Sequence, residues 1–423
     1  MAEQPLAIQI ADPPPERHHD TASMSAAGTA PAGVSSRFRP DIEGMRAIAV
    51  LLVVLYHAYG TPFVGGFVGV DVFFVISGFL ITGLLLRERE RSGRISVSDF
   101  YARRVRRILP AATLVVLVTL FATYRWLGFI AGNSVAGDAK WSAVFAANLH
   151  FGLTRTDYFG AQMPPSPLQH MWSLGVEEQF YLIWPGVTVA LLLVARRMHH
   201  RKVLAGALCA IIAASLTWSV LQTSVNQTWA YFSPLTRAWE LALGALIAVM
   251  APTIARRLKY GFAPSALAFV GLAGIVLAAV LLTSQTRYPG AAVALPVLGS
   301  GALIAAGCAD PRTLVGRCLS IHPMRWLGAR SYSLYLWHWP LLVIPDQYSA
   351  DDMSVLATTG WVLLAVVASE ITYRLVENPF RRAKLLTART GTTLALGLAL
   401  VGITILTAQW CIASHFGSWD VLR

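Results

Sequence analysis

The stretch FRPDIEGMRAIAVLLVVLYHAYG, residues 38–60, decides the fold. Its middle is apolar and long enough to cross a bilayer, yet Arg46 stands at one end of it and His57 at the other. Eleven residues on an ideal helix advance three turns plus about 20°, and about 16 Å along the axis. Arg46 and His57 therefore share one face of one apolar helix, at two depths. Ionisable groups at membrane depth are costly to bury and mark function by default.

Similar runs recur along nearly the whole chain. Of its 423 residues, 55% are hydrophobic and only 13% charged, with mean hydropathy +0.55, against roughly 25% charge in a soluble domain. The runs are continuous rather than alternating, which selects helices over a barrel. The expected fold class is all-α, a polytopic membrane helix bundle of ten or eleven transmembrane helices. Candidate spans lie near 41–60, 67–86, 108–128, 173–195, 203–222, 234–251, 262–283, 290–308, 331–346, 355–376 and 391–411. Residues 1–36, rich in Pro, Ala and Ser, are expected to form a disordered cytoplasmic tail. They lack the apolar core of a signal peptide, so the first span should direct insertion. Residues 37–382 form the main transmembrane domain, and 383–423 an eleventh helix with a short extracytoplasmic tail. The four cysteines are scattered and no Cys/His group has ligand spacing, so neither structural disulfides nor a metal site is expected.

Eleven spans place the termini on opposite sides of the membrane. Under that count the basic clusters collect on one side, including eight arginines between spans 2 and 3. Cytoplasmic loops carry the basic excess, which sets the N-terminus inside and the C-terminus outside the cell membrane. The net charge of +12 is then a topology signal, and no nucleic-acid partner is called for. The longest outer segment, 129–172, is expected to fold over the outer face.

Several embedded polar groups are candidates for chemistry. Span 2, in GGFVGVDVFFVISGFLITGLLL (65–86), carries Asp71. If the hairpin turns near position 64, His57 and Asp71 sit at similar depth, and the carboxylate would orient the imidazole as a general base. Ser77 reads as helix packing rather than as a nucleophile. Arg103, Arg104, Arg106 and Arg107 in SDFYARRVRRILPAA (98–112) immediately precede span 3. Guanidinium forks suit a polyanionic phosphate ligand, and a helix start offers free backbone N–H groups. Glu177 and Glu178 lie in MWSLGVEEQFYLIWP, and Arg237 and Glu240, three apart, can pair on one helix face. His338, between Trp337 and Trp339, reads as part of an interfacial aromatic belt.

The segments RPDIEGMRAIAVLLVVLYHA, GGFVGVDVFFVISGFLIT, FYARRVRRILPA, SLGVEEQFYLIWP, RAWELALGAL, SYSLYLWHWP and VENPFRR, in this order, resemble membrane acyltransferase family 3. The likeness is to the subgroup that O-acylates cell-surface carbohydrate, including peptidoglycan and lipopolysaccharide acetyltransferases. The resemblance assigns Arg46 and His57 to the family's Arg-x10-His motif, and Arg104 and Arg107 to its RxxR motif, with Arg103 and Arg106 adjacent. It adds Asp71 and Glu177 to His57 as the catalytic set. It implies an acyl-CoA donor, usually acetyl-CoA, entering from the cytoplasm, no permanently bound cofactor, and a carbohydrate or glycolipid acceptor. His57 would serve as general base or as transient acyl carrier. The alternative is a translocator that hands the acyl group to a separate extracytoplasmic transferase. Many relatives with an eleventh span continue into an SGNH-hydrolase-type domain, whereas only IASHFGSWDVLR follows span 11 here. The expectation is therefore a membrane portion, or a protein that works alone or with a separate SGNH-type partner.

Overall fold

The apolar runs fold as helices. The computed structural model describes residues 39–154, 158, 164–195, 199–258, 261–349, 351–414 and 416, and the expected tail at 1–36 lies outside them. No strand occurs among the described residues. Eleven helices fall on the eleven expected spans: α1 (Pro40–Tyr59), α2 (Gly69–Ser92), α3 (Val97–Trp126), α4 (Met171–Val194), α5 (His200–Val225), α6 (Pro234–Arg257), α7 (Ala263–Leu281), α8 (Ala294–Ala309), α9 (His322–Tyr348), α10 (Val355–Thr372) and α11 (Thr390–Ala413). Among the described residues, eight helical segments are long and apolar enough to cross a membrane; they contain all of these except α4, α8 and α9. Helix α8 is shorter, with 16 residues, and α4 and α9 carry much of the polar site described below. Large apolar side chains stand exposed along α7 (Leu277, Leu281), α10 (Leu363, Leu364) and α11 (Leu398, Leu406). Faces of that kind are stable against lipid rather than water. This is a multi-pass membrane protein.

Local chemistry sets the helix ends. Gly93 closes α2 with φ 72°, its N–H donating to Arg89 O at 2.8 Å. Ser96 opens α3, its hydroxyl accepting from Asp99 N at 3.3 Å. That cap starts α3 about three turns before the expected position 108. The four arginines consequently lie within the helix rather than at its free N–H groups, which corrects the expectation of a helix-start anion site. Ser233, followed by Pro234, opens α6 in the same way.

The helix pairs that matter for the site are α1 with α9 and α2 with α6. The α2–α6 crossing is backbone against backbone. A Cβ added at Gly78 would lie 1.8 Å from Leu241 O, and one at Gly244 would lie 1.9 Å from Val75 O. Only glycine allows that approach. Seven residues, about two turns, separate Gly78 from Asp71 on α2 and Gly244 from Arg237 on α6, so the crossing sets the register in which those two charges meet. The long segment after α3 forms two further helices, Gly128–Ala143 and Ala147–Leu153, and α11 packs along α3 and the first of them.

Replacing Gly244 by Val should force α2 and α6 apart. Overpacking of a close contact costs about 1–3 kcal/mol. The variant is expected to melt several degrees lower than wild type in detergent, followed by size-exclusion of heated samples. An unchanged melting temperature would count against the backbone contact.

Candidate active site

His57 stands near the C-terminal end of α1, and its partners come from elsewhere in the fold. Its Nδ1 lies 3.1 Å from His338 Nε2, and its Nε2 lies 2.9 Å from the Tyr158 hydroxyl. The Trp339 ring meets it edge to face, with centroids 4.5 Å apart. His338, on α9, is fully buried, and its Nδ1 lies 2.6 Å from the Tyr335 carbonyl oxygen. This corrects two expectations. Asp71 is not the partner of His57, and His338 belongs to the bundle interior rather than to an interfacial belt.

Asp71 is held by Arg237. The Arg237 Nη1 donates to Asp71 Oδ1 at 2.8 Å and to Glu240 Oε1 at 3.1 Å, and its Nε donates to Tyr231 O at 3.2 Å. The Tyr288 hydroxyl donates to the second oxygen of Asp71. Rings of Trp172, Tyr231 and Tyr288 lie 5.7, 5.0 and 5.3 Å from the guanidinium carbon. The expected Arg237–Glu240 pair is therefore present, enlarged by a second carboxylate. All three charged groups are essentially without solvent contact. Burial of such ions is costly, and mutual pairing with aromatic faces offsets the cost. Tyr231 links this cluster to His57, because its ring stacks on Tyr158 at 4.4 Å.

The remaining candidates, Arg103 and Arg106 excepted, converge on a cavity with about 80 Å³ of room. Arg46 of α1, Ser77 of α2, Arg104 and Arg107 of α3, Glu177, Glu178 and Tyr181 of α4, and Tyr335 of α9 all line it. Glu177 accepts hydrogen bonds from both Ser77 and Tyr181, and the Tyr181 ring lies 4.8 Å from the Arg104 guanidinium carbon. Among the described residues, Arg46, Arg104 and Arg107 have no carboxylate oxygen within 4.0 Å. Residues three apart share a helix face, so the run Arg103–Arg107 divides into two pairs. Arg104 and Arg107 face the cavity. Arg103 pairs with Glu88 at 2.6 Å and lines a separate surface recess with Arg87, Arg91 and Arg94. Arg106 donates to Leu386 O at 2.9 Å and so ties α3 to the segment before α11.

The structure thus brings Arg46, Arg104, Arg107 and Glu177 together, sets His57 beyond them, and puts Asp71 in a cluster of its own. Tyr335 joins the two regions: it lines the cavity and its carbonyl accepts from His338. Sequence reasoning missed His338 and Tyr158. A histidine with apolar neighbours within a span was a usable signal for the first. Tyr158 lies in the long segment between α3 and α4, where no periodicity marks it.

Comparison with known proteins adds a family. The family model described as an acyltransferase domain matches residues 39–374. The chain is 31% identical over 369 residues to the peptidoglycan O-acetyltransferase OatA of Listeria monocytogenes, covering 82% of this chain and 56% of the relative. It is 33% identical over 358 residues to the O-acetyltransferase OatA of Staphylococcus aureus, covering 82% and 58%. The chain therefore spans somewhat more than half the length of these curated relatives. No solved structure matches it.

The geometry separates a structural role for Asp71 from a chemical one. Arg237→Leu should cost about 3–5 kcal/mol, because it strands two buried carboxylates. Adding Asp71→Asn and Glu240→Gln to that variant should restore most of the lost stability, read as thermal melting in detergent. Failure of the triple variant to recover would show that the cluster is not held by charge balance.

Proposed function

The chain belongs to acyltransferase family 3, and from that premise we propose that it is an integral membrane O-acyltransferase. It moves an acetyl group from cytoplasmic acetyl-CoA to a hydroxyl of a cell-envelope carbohydrate or glycolipid. The observation that carries this reading is the cavity where Arg46, Arg104 and Arg107 converge without ion-pair partners. Three guanidinium groups without a direct ion pair outnumber the two carboxylates, Glu177 and Glu178, in the same lining, which suits an anion, and forked donors match phosphate. With the N-terminus inside, the arginine-rich end of α2 and start of α3 face the cytoplasm, where acyl-CoA is found.

In this reading Arg104 and Arg107 bind the donor's phosphates, and Arg46 continues the path toward His57. Glu177 acts by position: it holds Tyr181, whose ring carries Arg104. In this reading the Tyr335 ring, which lines the cavity, swings aside for the thioester to approach His57. His57 Nε2 takes the proton from the attacking hydroxyl, whose oxygen bonds to the acyl carbon. The C–S bond breaks, and the CoA thiolate leaves with the proton from His57. The relatives' printed names favour peptidoglycan as acceptor.

One observation favours a second reading, a translocator that passes the acyl group to a separate outer transferase. The hydroxyl resting on His57 Nε2 is the protein's own, from Tyr158. In that case the Tyr158 oxygen bonds to the acyl carbon as its proton passes to His57 Nε2, the C–S bond breaks and CoA leaves as the thiol with that proton; CoA is then released without any added carbohydrate, and Tyr158→Phe abolishes this release.

The test uses the full chain in proteoliposomes with radiolabelled acetyl-CoA and peptidoglycan fragments. His57→Gln is expected to lower acetyl transfer by about 10²–10⁴-fold while leaving the protein folded; near-normal turnover would sink the base role. Arg104→Ala combined with Arg107→Ala should raise the KM for acetyl-CoA at least tenfold, since charged hydrogen bonds contribute about 1.5–3 kcal/mol each. An unchanged KM would place the phosphates elsewhere.

A further inference from the structure

A base must present a lone pair to the hydroxyl, and nothing in the sequence says which nitrogen of His57 does so. With Asp71 engaged by Arg237 and Tyr288, the tautomer of His57 has to be set by another group. The hydrogen bonds around His338 determine it. The Tyr335 carbonyl oxygen, 2.6 Å from His338 Nδ1, can only accept, so Nδ1 carries the proton. In the neutral ring Nε2 is then the acceptor, and it lies 3.1 Å from His57 Nδ1. His57 therefore donates from Nδ1 and keeps its lone pair on Nε2, where the Tyr158 hydroxyl sits at 2.9 Å. The ring planes support a true N–H···N bond: they are 12° from parallel, with centroids 5.3 Å apart against 3.1 Å between nitrogens, so the rings meet end to end.

We infer that His338 is the positioning residue of this site, holding His57 in the Nδ1–H tautomer through a one-way chain from the Tyr158 hydroxyl through His57 and His338 to the Tyr335 carbonyl. Which ring nitrogen bears the proton is set by the bond the other makes, and here that bond goes to a neutral imidazole rather than to a carboxylate. When His57 takes a proton at Nε2, its Nδ1 proton can pass to His338 Nε2 without movement of any heavy atom. The charge is then shared between two rings inside an apolar bundle. The Trp339 ring beside His57 adds an aromatic wall to the same pair. His338 is itself fixed because it is fully buried and lies one helical turn from the carbonyl it binds.

This inference rests on His57 being the base, and the experiment separates the two. ¹⁵N-histidine labelling of the full-length protein in lipid, with His57→Gln used to assign the His57 signals, reads protonation at each ring nitrogen directly. The wild type should show His57 protonated at Nδ1 and bare at Nε2. His338→Phe should release His57 to an Nε2–H or mixed form and lower acetyl transfer about 10²-fold or more. His338→Gln, whose amide oxygen can accept at the place of Nε2, should keep the Nδ1–H form and stay within about tenfold of wild-type transfer. A wild-type His57 protonated at Nε2, or an Nδ1–H signal unmoved by His338→Phe, overturns the inference. Full transfer by His57→Gln overturns the base role instead, whatever the tautomer.

Discussion

A guanidinium sealed from water between two carboxylates organises this bundle. Arg237 reaches Asp71 on α2 and Glu240 one turn along its own helix, and it is roofed by three aromatic rings. Removing Arg237 strands two carboxylates in a low-dielectric interior, and removing Asp71 leaves the Tyr288 hydroxyl and one guanidinium bond without their acceptor, so the three hold one another in place. The glycine crossing two turns away fixes the register, and the stack of Tyr231 on Tyr158 carries the consequence to His57. The stability of the cluster and the placement of the candidate base are in this way one problem.

The ionisable groups of the membrane region divide by whether their charge is matched. Arg237, Arg103 and Arg330 have carboxylate partners, and Arg106 is taken up by a backbone carbonyl and a hydroxyl. Arg46, Arg104 and Arg107 line a cavity that they share with Glu177 and Glu178, and among the described residues none of the three has a carboxylate oxygen within 4.0 Å. Structural cations are satisfied within the protein, whereas cations meant for a ligand are left for it to satisfy. That division, rather than the number of arginines, distinguishes the proposed donor site from a cytoplasmic charge belt.

Much of this was legible in the sequence, and the failures have a common cause. The spans were readable because each is a continuous apolar run, and the shared face of Arg46 and His57 followed from helical periodicity. Depth along a helix can be counted in residues, but direction around it cannot be transferred to a neighbouring helix. Asp71 was correctly read as embedded and wrongly given to His57, because equal depth says nothing about which way each side chain points. For the same reason the four arginines of α3 looked like one cluster until their helix showed two faces. His338 lies 281 residues from His57 in sequence, and only the packing of α1 along α9 brings them together.

The central claim is that a single path runs from the arginine cavity to His57. Determining the structure of the protein in lipid nanodiscs with a non-transferable acetyl-CoA analogue tests it most directly. Phosphate density is expected against Arg104 and Arg107, with the Tyr335 ring displaced and the acyl carbonyl within hydrogen-bond reach of the His57 region. Donor phosphates bound away from Arg104 and Arg107, or an acyl group lodged away from His57, would contradict it.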